Sequence, residues 1–299
     1  MFELCWVNTK TNKGEVIIME ITIKARAKIN LTLDVVGRLP DGYHEVEMVM
    51  QALELHDTLT LRSQEEGIAI ACDHPQVPTG EGNLVYRCAR ALQQATGIDR
   101  GVHITIDKRL PVAAGLAGGS SNGAAALIGL NKLWNLGLTR EQLMEIGVTL
   151  GADIPFCILG GTALAKGKGE KLTPLQGIKG LPVVLVNPPM GVSTAEVYKN
   201  FDGAKVSHRP NIRAMIDALA SGDCRGVVDN LGNVLETVTL EMHPEIAIIK
   251  VELLAAGALG VLMSGSGPTV FAITTSQEEG AKIAQRLTHR GAVFVTSTS

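Results

Sequence analysis

No apolar run in this sequence approaches the ~18 residues that a membrane-spanning helix requires, and the stretch Leu181 to Val186 is only strand-sized. The start of the chain holds no apolar centre of a secretory leader, because Glu3, Asn8 and Lys10 interrupt it. An excess of charge is missing too: 27 Lys and Arg stand against 30 Asp and Glu, a net charge of −3. So even a balance projects no long-range field toward nucleic acid or an anionic membrane, and leaves any anionic ligand to be held by local devices. The five cysteines (Cys5, Cys72, Cys88, Cys157, Cys224) are odd in number and scattered, with no C-x-x-C pair. They fit reduced thiols in a cytoplasmic protein rather than a disulfide framework. Cys72 and His74 stand close together, but no second pair joins them, so they read as a surface loop and no metal site is expected. Three nucleotide signatures are also absent: there is no G-x-x-x-x-G-K-[ST], no H-R-D, and no glycine spacing of the dinucleotide fold.

What is present describes a well-buried globular protein. The chain has 299 residues, 45% of them hydrophobic and 19% charged, enough for two ordinary domains. Ala27, Ile29, Leu31, Leu33 and Val35 alternate with Lys28, Asn30, Thr32 and Asp34, the period of a strand. A turn at Pro40-Asp41-Gly42 leads into a second strand, Val46 to Leu55, and shorter strands are expected at Thr58–Arg62 and Ile68–Cys72. A helix follows from Asn83 to Gln94 and a strand from Val102 to Ile106. The next helix carries Leu127, Leu130 and Trp134 on one face, and Thr139 with Gln142 forms a capping box opening a helix toward Leu150. Thr173 to Pro182 has the proline and glycine density of a connection, which places domains at 19–175 and 181–299. The second begins with a strand at Val183–Val186, continues with two or three helices, and ends in a strand–helix–strand set from Gly260 to Val295. Both halves read as α+β.

The densest cluster of small residues is Pro111-Val112-Ala113-Ala114-Gly115-Leu116-Ala117-Gly118-Gly119-Ser120-Ser121, at a strand-to-helix junction. Small residues let backbone amides approach a ligand, and the following helix offers unpaired N–H groups and a positive dipole end. That is an anion site built without side-chain charge. Ser120 and Ser121 can cap the helix or donate hydroxyls to phosphate or to the shell of a magnesium ion. A plain glycine-rich turn is the simpler alternative, but four small residues and two serines are more than a turn needs. Lys28 and Asn30 share one strand face, readable as a solvated polar face or as a reactive one. Asp153 lies among apolar and small residues in Gly151-Ala152-Asp153-Ile154-Pro155-Phe156, a turn or cap residue that its neighbours would partly desolvate. Phosphoryl transfer to an alcohol needs held phosphates, a cation and a proton acceptor, and the loop, Lys28 and Asp153 are of those types.

Three segments in this order and spacing, Lys28-Ile29-Asn30-Leu31, Pro111 to Ser121 and Met263-Ser264-Gly265-Ser266-Gly267-Pro268, resemble the motifs of the GHMP kinases. That family is named for galacto-, homoserine, mevalonate and phosphomevalonate kinases. The stretches Ala27 to Leu33, Asp41-Gly42-Tyr43-His44, Ile106 to Pro111, Gly151 to Phe156 and Gly191-Val192-Ser193-Thr194 are similar to members whose acceptor is a cytidylated polyol. The similarity runs from about Met19 to the C-terminus. It implies an N-terminal ATP-binding domain with a left-handed βαβ unit and a ferredoxin-like C-terminal domain. It implies ATP as phosphoryl donor with Mg2+, Asp153 as base and Lys28 as its partner. The ATP phosphates would sit on Pro111–Ser121, with Asn83 and Lys108 near the nucleotide. Asn30, Tyr43, His44, Thr194 and Tyr198 would meet the acceptor, Tyr43 stacking on the cytosine, His44 bonding its edge and Tyr198 supplying a second ring. With aromatics only 3% of the chain, that is a concentrated use of them. The loop Ser264 to Gly267, otherwise an ordinary turn, would pack on the phosphate loop. One departure is Gly123, where the family more often has Ala. A small-molecule substrate is implied, with no nucleic acid and no membrane, and a monomer or weak homodimer. The alternatives are a homoserine or mevalonate type of kinase, which needs no Gly-Tyr-His segment, and a silent sensor, which would lack Lys28 or Asp153.

Residues 1–18 fall outside the similarity and are expected to be a non-native extension. Asn8 to Gly14 lack a periodic apolar face, and Lys13-Gly14-Glu15 can be encoded by a purine-rich stretch resembling a ribosome-binding site three codons before Met19. Val16-Ile17-Ile18 could instead lengthen the first strand.

Overall fold

A computed structural model describes residues 4–9 and 18–299, so the expectation for residues 1–18 falls outside them at 1–3 and 10–17. The described chain forms two compact units, which divide β2 and β3 between them.

The first unit comprises residues up to 27, His56–Val112 and Gly118–Leu159. It contains β1 (Leu4–Thr9), the start of β2 (Ile18–Arg38), the end of β3 (His44–Gln64), β4 (Ile68–Cys72) and β5 (Gly101–Asp107), in sheet order β1-β2-β3-β5-β4. Leu4–Thr9, where no element was expected, pairs antiparallel with Ile18–Ile23. Strands β4 and β5 run parallel and are joined by α1 (Leu84–Thr96), a βαβ unit. Helices α2 (Gly118–Leu133), α3 (Arg140–Val148) and α4 (Ile154–Leu159) complete the unit, and α1, α3 and α4 all pack on α2. The capping box of α3 forms as expected between Thr139 and Gln142. The core joins Ile21, Ile23, Leu59, Leu61 and Ile104 of the sheet to Leu92, Leu127 and Leu130 of the helices. Each such side chain contributes roughly 1.5–3 kcal/mol by leaving water.

The second unit holds Lys28–Leu55, Ala113–Ala117 and Gly160–Ser299. Beside its parts of β2 and β3 lie β6 (Thr162–Gly167), β7 (Lys171–Leu175) and the short β9 (Gly232–Asn233). A separate antiparallel sheet, ordered β10-β11-β8-β12, is built from β8 (Pro182–Asn187), β10 (Gly260–Met263), β11 (Val270–Ile273) and β12 (Ala292–Ser297). Its helices are α5 (Thr194–Asn200), α6 (Ile212–Ser221), α7 (Cys224–Asp229), α8 (Glu236–Met242), α9 (Pro244–Ala255) and α10 (Gln277–Leu287), the last packed on β8 and β12. Among the described residues no helix is long and apolar enough to cross a membrane.

Two expectations are corrected here. The stretches Val46–Leu55 and Thr58–Arg62 form one 21-residue strand, β3, because Leu55-His56-Asp57-Thr58 contains no Gly or Pro to break it. Part of the expected connection, Thr173 to Leu175, belongs to β7, paired with β6. Pro174 is tolerated because β7, paired among the described residues with β6 alone, is an edge strand.

Candidate active site

The polar face of β2 is not a solvated face. Lys28 is 5% exposed, and Asn30, Thr32 and Asp34 are buried with it. Each polar group is answered within the second unit. Lys28 Nζ donates to Asn30 Oδ1 at 2.8 Å and to the Gly115 carbonyl at 3.1 Å. Asn30 Nδ2 points to Met48 Sδ at 3.1 Å, and Thr32 Oγ1 accepts from the Val49 amide at 3.0 Å. Asp34 Oδ1 takes Arg209 Nη1 at 2.5 Å. Burying the neutral groups unpaired would cost roughly 1–3 kcal/mol apiece and the charged ones more, so the set fixes the strand in place.

Across the loop, φ is positive at Ala113, Gly115 and Ala117 and at neither residue between them. Alternation of backbone handedness turns successive amides into a concave nest that favours anions. Alanine pays about 1 kcal/mol or more for that conformation, strain held at two of three positions. Gly115 must be glycine: a Cβ there would lie 2.5 Å from the Ser264 carbonyl and 2.8 Å from that of Gly267. Ser264 Oγ donates to the Gly115 carbonyl at 3.0 Å, so the 264–267 loop meets the small-residue loop at Gly115. Gly118 and Gly119, by contrast, have no positive φ and already belong to α2.

At the start of α2, the amides of its first turn lack helical partners and the dipole is positive. Ser121 Oγ donates to the Arg26 carbonyl at 2.6 Å, tying the turn to β2. A Cβ on Gly119 would meet nothing within 4 Å, whereas one on Gly118 would meet Lys108 Nζ at 3.3 Å. Lys108 therefore stands beside the helix end, where its ammonium bonds Asp57 Oδ2 and the Leu110 carbonyl, each at 2.7 Å. Asn83 caps α1: its Oδ1 accepts from the Val85 amide at 2.8 Å and its Nδ2 donates to the Pro78 carbonyl at 2.6 Å. Asp153 is half-buried immediately before α4, and its carbonyl accepts the first helical bond from the Cys157 amide at 3.0 Å. A Cβ on Gly151, two residues earlier, would lie 3.8 Å from Ser120 Oγ, so this segment runs past the helix end. The departure at Gly123 has a physical cause: a Cβ there would come within 2.9 Å of Cys88 Sγ. Burial of Cys88 pushes its thiol up to about 12, so it acts as an inert filler.

In the second unit, the His44 ring lies 5.2 Å from that of Tyr198 and 6.2 Å from that of Phe201, the latter edge-on at 90°. Burial, then the positive Arg38, lowers the His44 imidazole below its ordinary value, which keeps it neutral near pH 7. Tyr43 is 62% exposed, and Lys168 Nζ sits 4.0 Å above its ring while pairing with Asp41 at 2.6 Å. Thr194 Oγ1 and Ser266 Oγ are 2.8 Å apart. Asp57, Phe201, Lys168 and Asn233 were not anticipated. Asp57 falls in the gap between the two strands read at Val46–Leu55 and Thr58–Arg62, so it passed for a loop residue; the other three carry no signal at sequence level.

Two family models match this chain: GHMP kinases N terminal domain over residues 83–161 and GHMP kinases C terminal over 211–293. The 4-diphosphocytidyl-2-C-methyl-D-erythritol kinase of Alkaliphilus metalliredigens is 52% identical over 255 residues, 85% of this chain and 88% of that one. The kinase of the same name from Pelotomaculum thermopropionicum is 52% identical over 90% of this chain and 94% of that one. Among solved structures, a 4-(cytidine 5'-diphospho)-2C-methyl-D-erythritol kinase superposes with a TM-score of 0.81 at 33% identity, covering 93% of this chain and 99% of that one. The homoserine kinase of Cytophaga hutchinsonii shares the fold, with a TM-score of 0.74 at 20% identity over 98% of this chain and 97% of that one.

Proposed function

The chain belongs to the GHMP kinases, and from that membership we propose that it transfers the terminal phosphoryl group of ATP to the 2-hydroxyl of 4-diphosphocytidyl-2-C-methyl-D-erythritol, a step in isoprenoid precursor synthesis in the cytoplasm. Relatives of that name at 52% identity support the substrate assignment. The observation that carries the choice of acceptor is the ring cluster of His44, Tyr198 and Phe201, an apolar wall with one neutral imidazole. Such a wall suits a neutral pyrimidine, whose flat face stacks and whose edge offers hydrogen-bonding atoms. Mevalonate and homoserine present no ring to occupy it.

The nest at 113–117 and the amides opening α2 suit the nucleotide phosphates. The Lys28 ammonium, held by two neutral oxygens, supplies positive charge for the transferring group. Asp153 accepts the proton of the acceptor hydroxyl. Magnesium would travel with the nucleotide. Hard oxygen donors suit it, and the Ser120 hydroxyl beside the helix end is such a donor, so the ion would supply charge neutralisation there. The test is ADP release from the purified protein with each acceptor in turn. Turnover with the cytidylated polyol and none with mevalonate or homoserine is expected; turnover with either of the latter, and none with the former, overturns the assignment.

A further inference from the structure

We infer that Asp57 is a positioning residue of the nucleotide site, setting the Lys108 ammonium and the backbone that leads into the phosphate loop. The inference rests on the reading of Pro111–Ser121 as that loop. Asp57 is 0% exposed on β3, two residues from Leu59 of the core. A buried ion pair there is weak evidence of a stabilising role, because apolar replacements of such pairs are often neutral or stabilising. Its contacts point elsewhere. Asp57 Oδ1 accepts from the amides of Arg109 and Leu110 at 2.7 Å each, and Oδ2 accepts from Lys108 Nζ at 2.7 Å. All three donors belong to consecutive residues, Lys108 to Leu110, which join β5 to the loop. A second carboxylate, Asp73, accepts from the Lys108 amide at 3.0 Å.

The resulting position of the ammonium is one that the helix alone would reject. It lies 3.3 Å from the place of a Cβ on Gly118, the first residue of α2, where the dipole repels cations. Asp57 holds it there against that repulsion. When a phosphate arrives, ammonium, dipole and free amides all act on it with the same sign. Asp57 itself touches no reacting atom in this account; it acts through Lys108 and the two amides.

The experiment measures KM for ATP and for the acceptor separately, with kcat and the melting temperature, in Asp57→Asn, Lys108→Met, the double variant and Gly119→Val. Expected for both single changes is a rise of at least ~10-fold in KM for ATP, with KM for the acceptor changed less than ~2-fold. The double variant should be no worse than Lys108→Met, because an asparagine at 57 keeps a side-chain oxygen for the Arg109 and Leu110 amides and loses only its link to the lysine. Should Asp57→Asn not fold, the double variant removes both charges together and carries the comparison: an ATP KM equal to that of Lys108→Met supports the inference, and a wild-type ATP KM overturns it. A lowered melting temperature with unchanged ATP KM in Asp57→Asn also overturns it, since a merely structural carboxylate would behave so. Gly119→Val separates the two readings: if it leaves ATP KM unchanged the loop assignment itself fails, and if it alone raises ATP KM only the role of Asp57 fails.

Discussion

Replacing Gly123 with Ala puts a methyl group where Cys88 already stands. The new Cβ would lie 2.9 Å from Cys88 Sγ, 3.4 Å from Leu84 Cγ and 3.6 Å from Ile154 Cδ1, in a site where Cys88 is fully buried. Helix propensity favours the change by about 1 kcal/mol. Overpacking opposes it by about 1–3 kcal/mol, because α1 and α4 are both packed on α2 and neither yields freely. A net loss of about 1 kcal/mol is expected. Cys88→Ala alone removes the sulfur and leaves a small void, costing about 1–2 kcal/mol. Together the changes should cancel: the alanine methyl occupies the space the sulfur vacates, and the helix keeps its propensity gain. The double variant should therefore come within ~0.5 kcal/mol of the parent, a coupling of about 2 kcal/mol. Urea denaturation at constant m-value measures all four proteins, and melting temperatures should differ by about 2–4 °C per kcal/mol. Additive effects, with the double variant as unstable as the sum of the singles, would refute the explanation of Gly123 by Cys88.

Lys28→Met and Asp153→Asn should each lower kcat by at least ~100-fold while the far-ultraviolet circular dichroism stays native; near-normal turnover in Asp153→Asn would remove it as the base. Gly119→Val places its side chain in open space in the protein, so folding should be intact while calorimetry shows ATP affinity reduced; unchanged affinity would count against the loop. Tyr43→Ala and His44→Ala should raise KM for the cytidylated acceptor by the equivalent of about 1–3 kcal/mol and leave KM for ATP nearly unchanged. Because the His44 value is lowered by burial, its neutral form prevails above its ordinary value; acceptor KM should be flat near pH 7 and rise only as acid protonates the ring. His44→Gln should lack that acid-side rise, and a rise that persists in the variant would place the titration elsewhere.

The local elements were legible where a physical signal is local. The helix opening at Asn83, the Thr139–Gln142 box and the strand at Ile68–Cys72 follow from residues a few positions apart. The small residues of the loop were legible and motivated its reading as an anion site, but its backbone was not: nothing in Ala113 or Ala117 announces a positive φ. The alternation along β2 identified a strand and misled about its environment. A polar face every second residue ordinarily looks at water. Here its partners come from Met48, Val49 and Arg209, and such long-range answers leave no trace in a hydropathy pattern. Asp57 was missed because Leu55 to Leu61 was divided into two short strands, which turned a buried acid into an apparent loop residue. Chain order likewise conceals that β2 and β3 each contribute to both compact units.

The buried polar stripe has a consequence for how Lys28 can act. The Gly115 carbonyl accepts from Lys28 Nζ at 3.1 Å and from Ser264 Oγ at 3.0 Å, so both lone pairs are engaged. Ser264 is in turn held by Asn233, whose Nδ2 donates to the carbonyls of Met263 and Gly265 at 2.9 and 2.8 Å. On the other side, Asn30 Oδ1 accepts from Lys28, and the same β2 face is tied onward through Thr32 and Asp34. A lysine chain has roughly 2 kcal/mol of rotamer entropy, which a lone contact would hardly restrain. In the proposed reaction the ammonium, fixed between two neutral acceptors that are themselves fixed, has little freedom left to lose when substrate binds. Dipoles and charges set before the reaction need no reorganisation during it, which is the condition under which one cation contributes most to a transferring phosphoryl group.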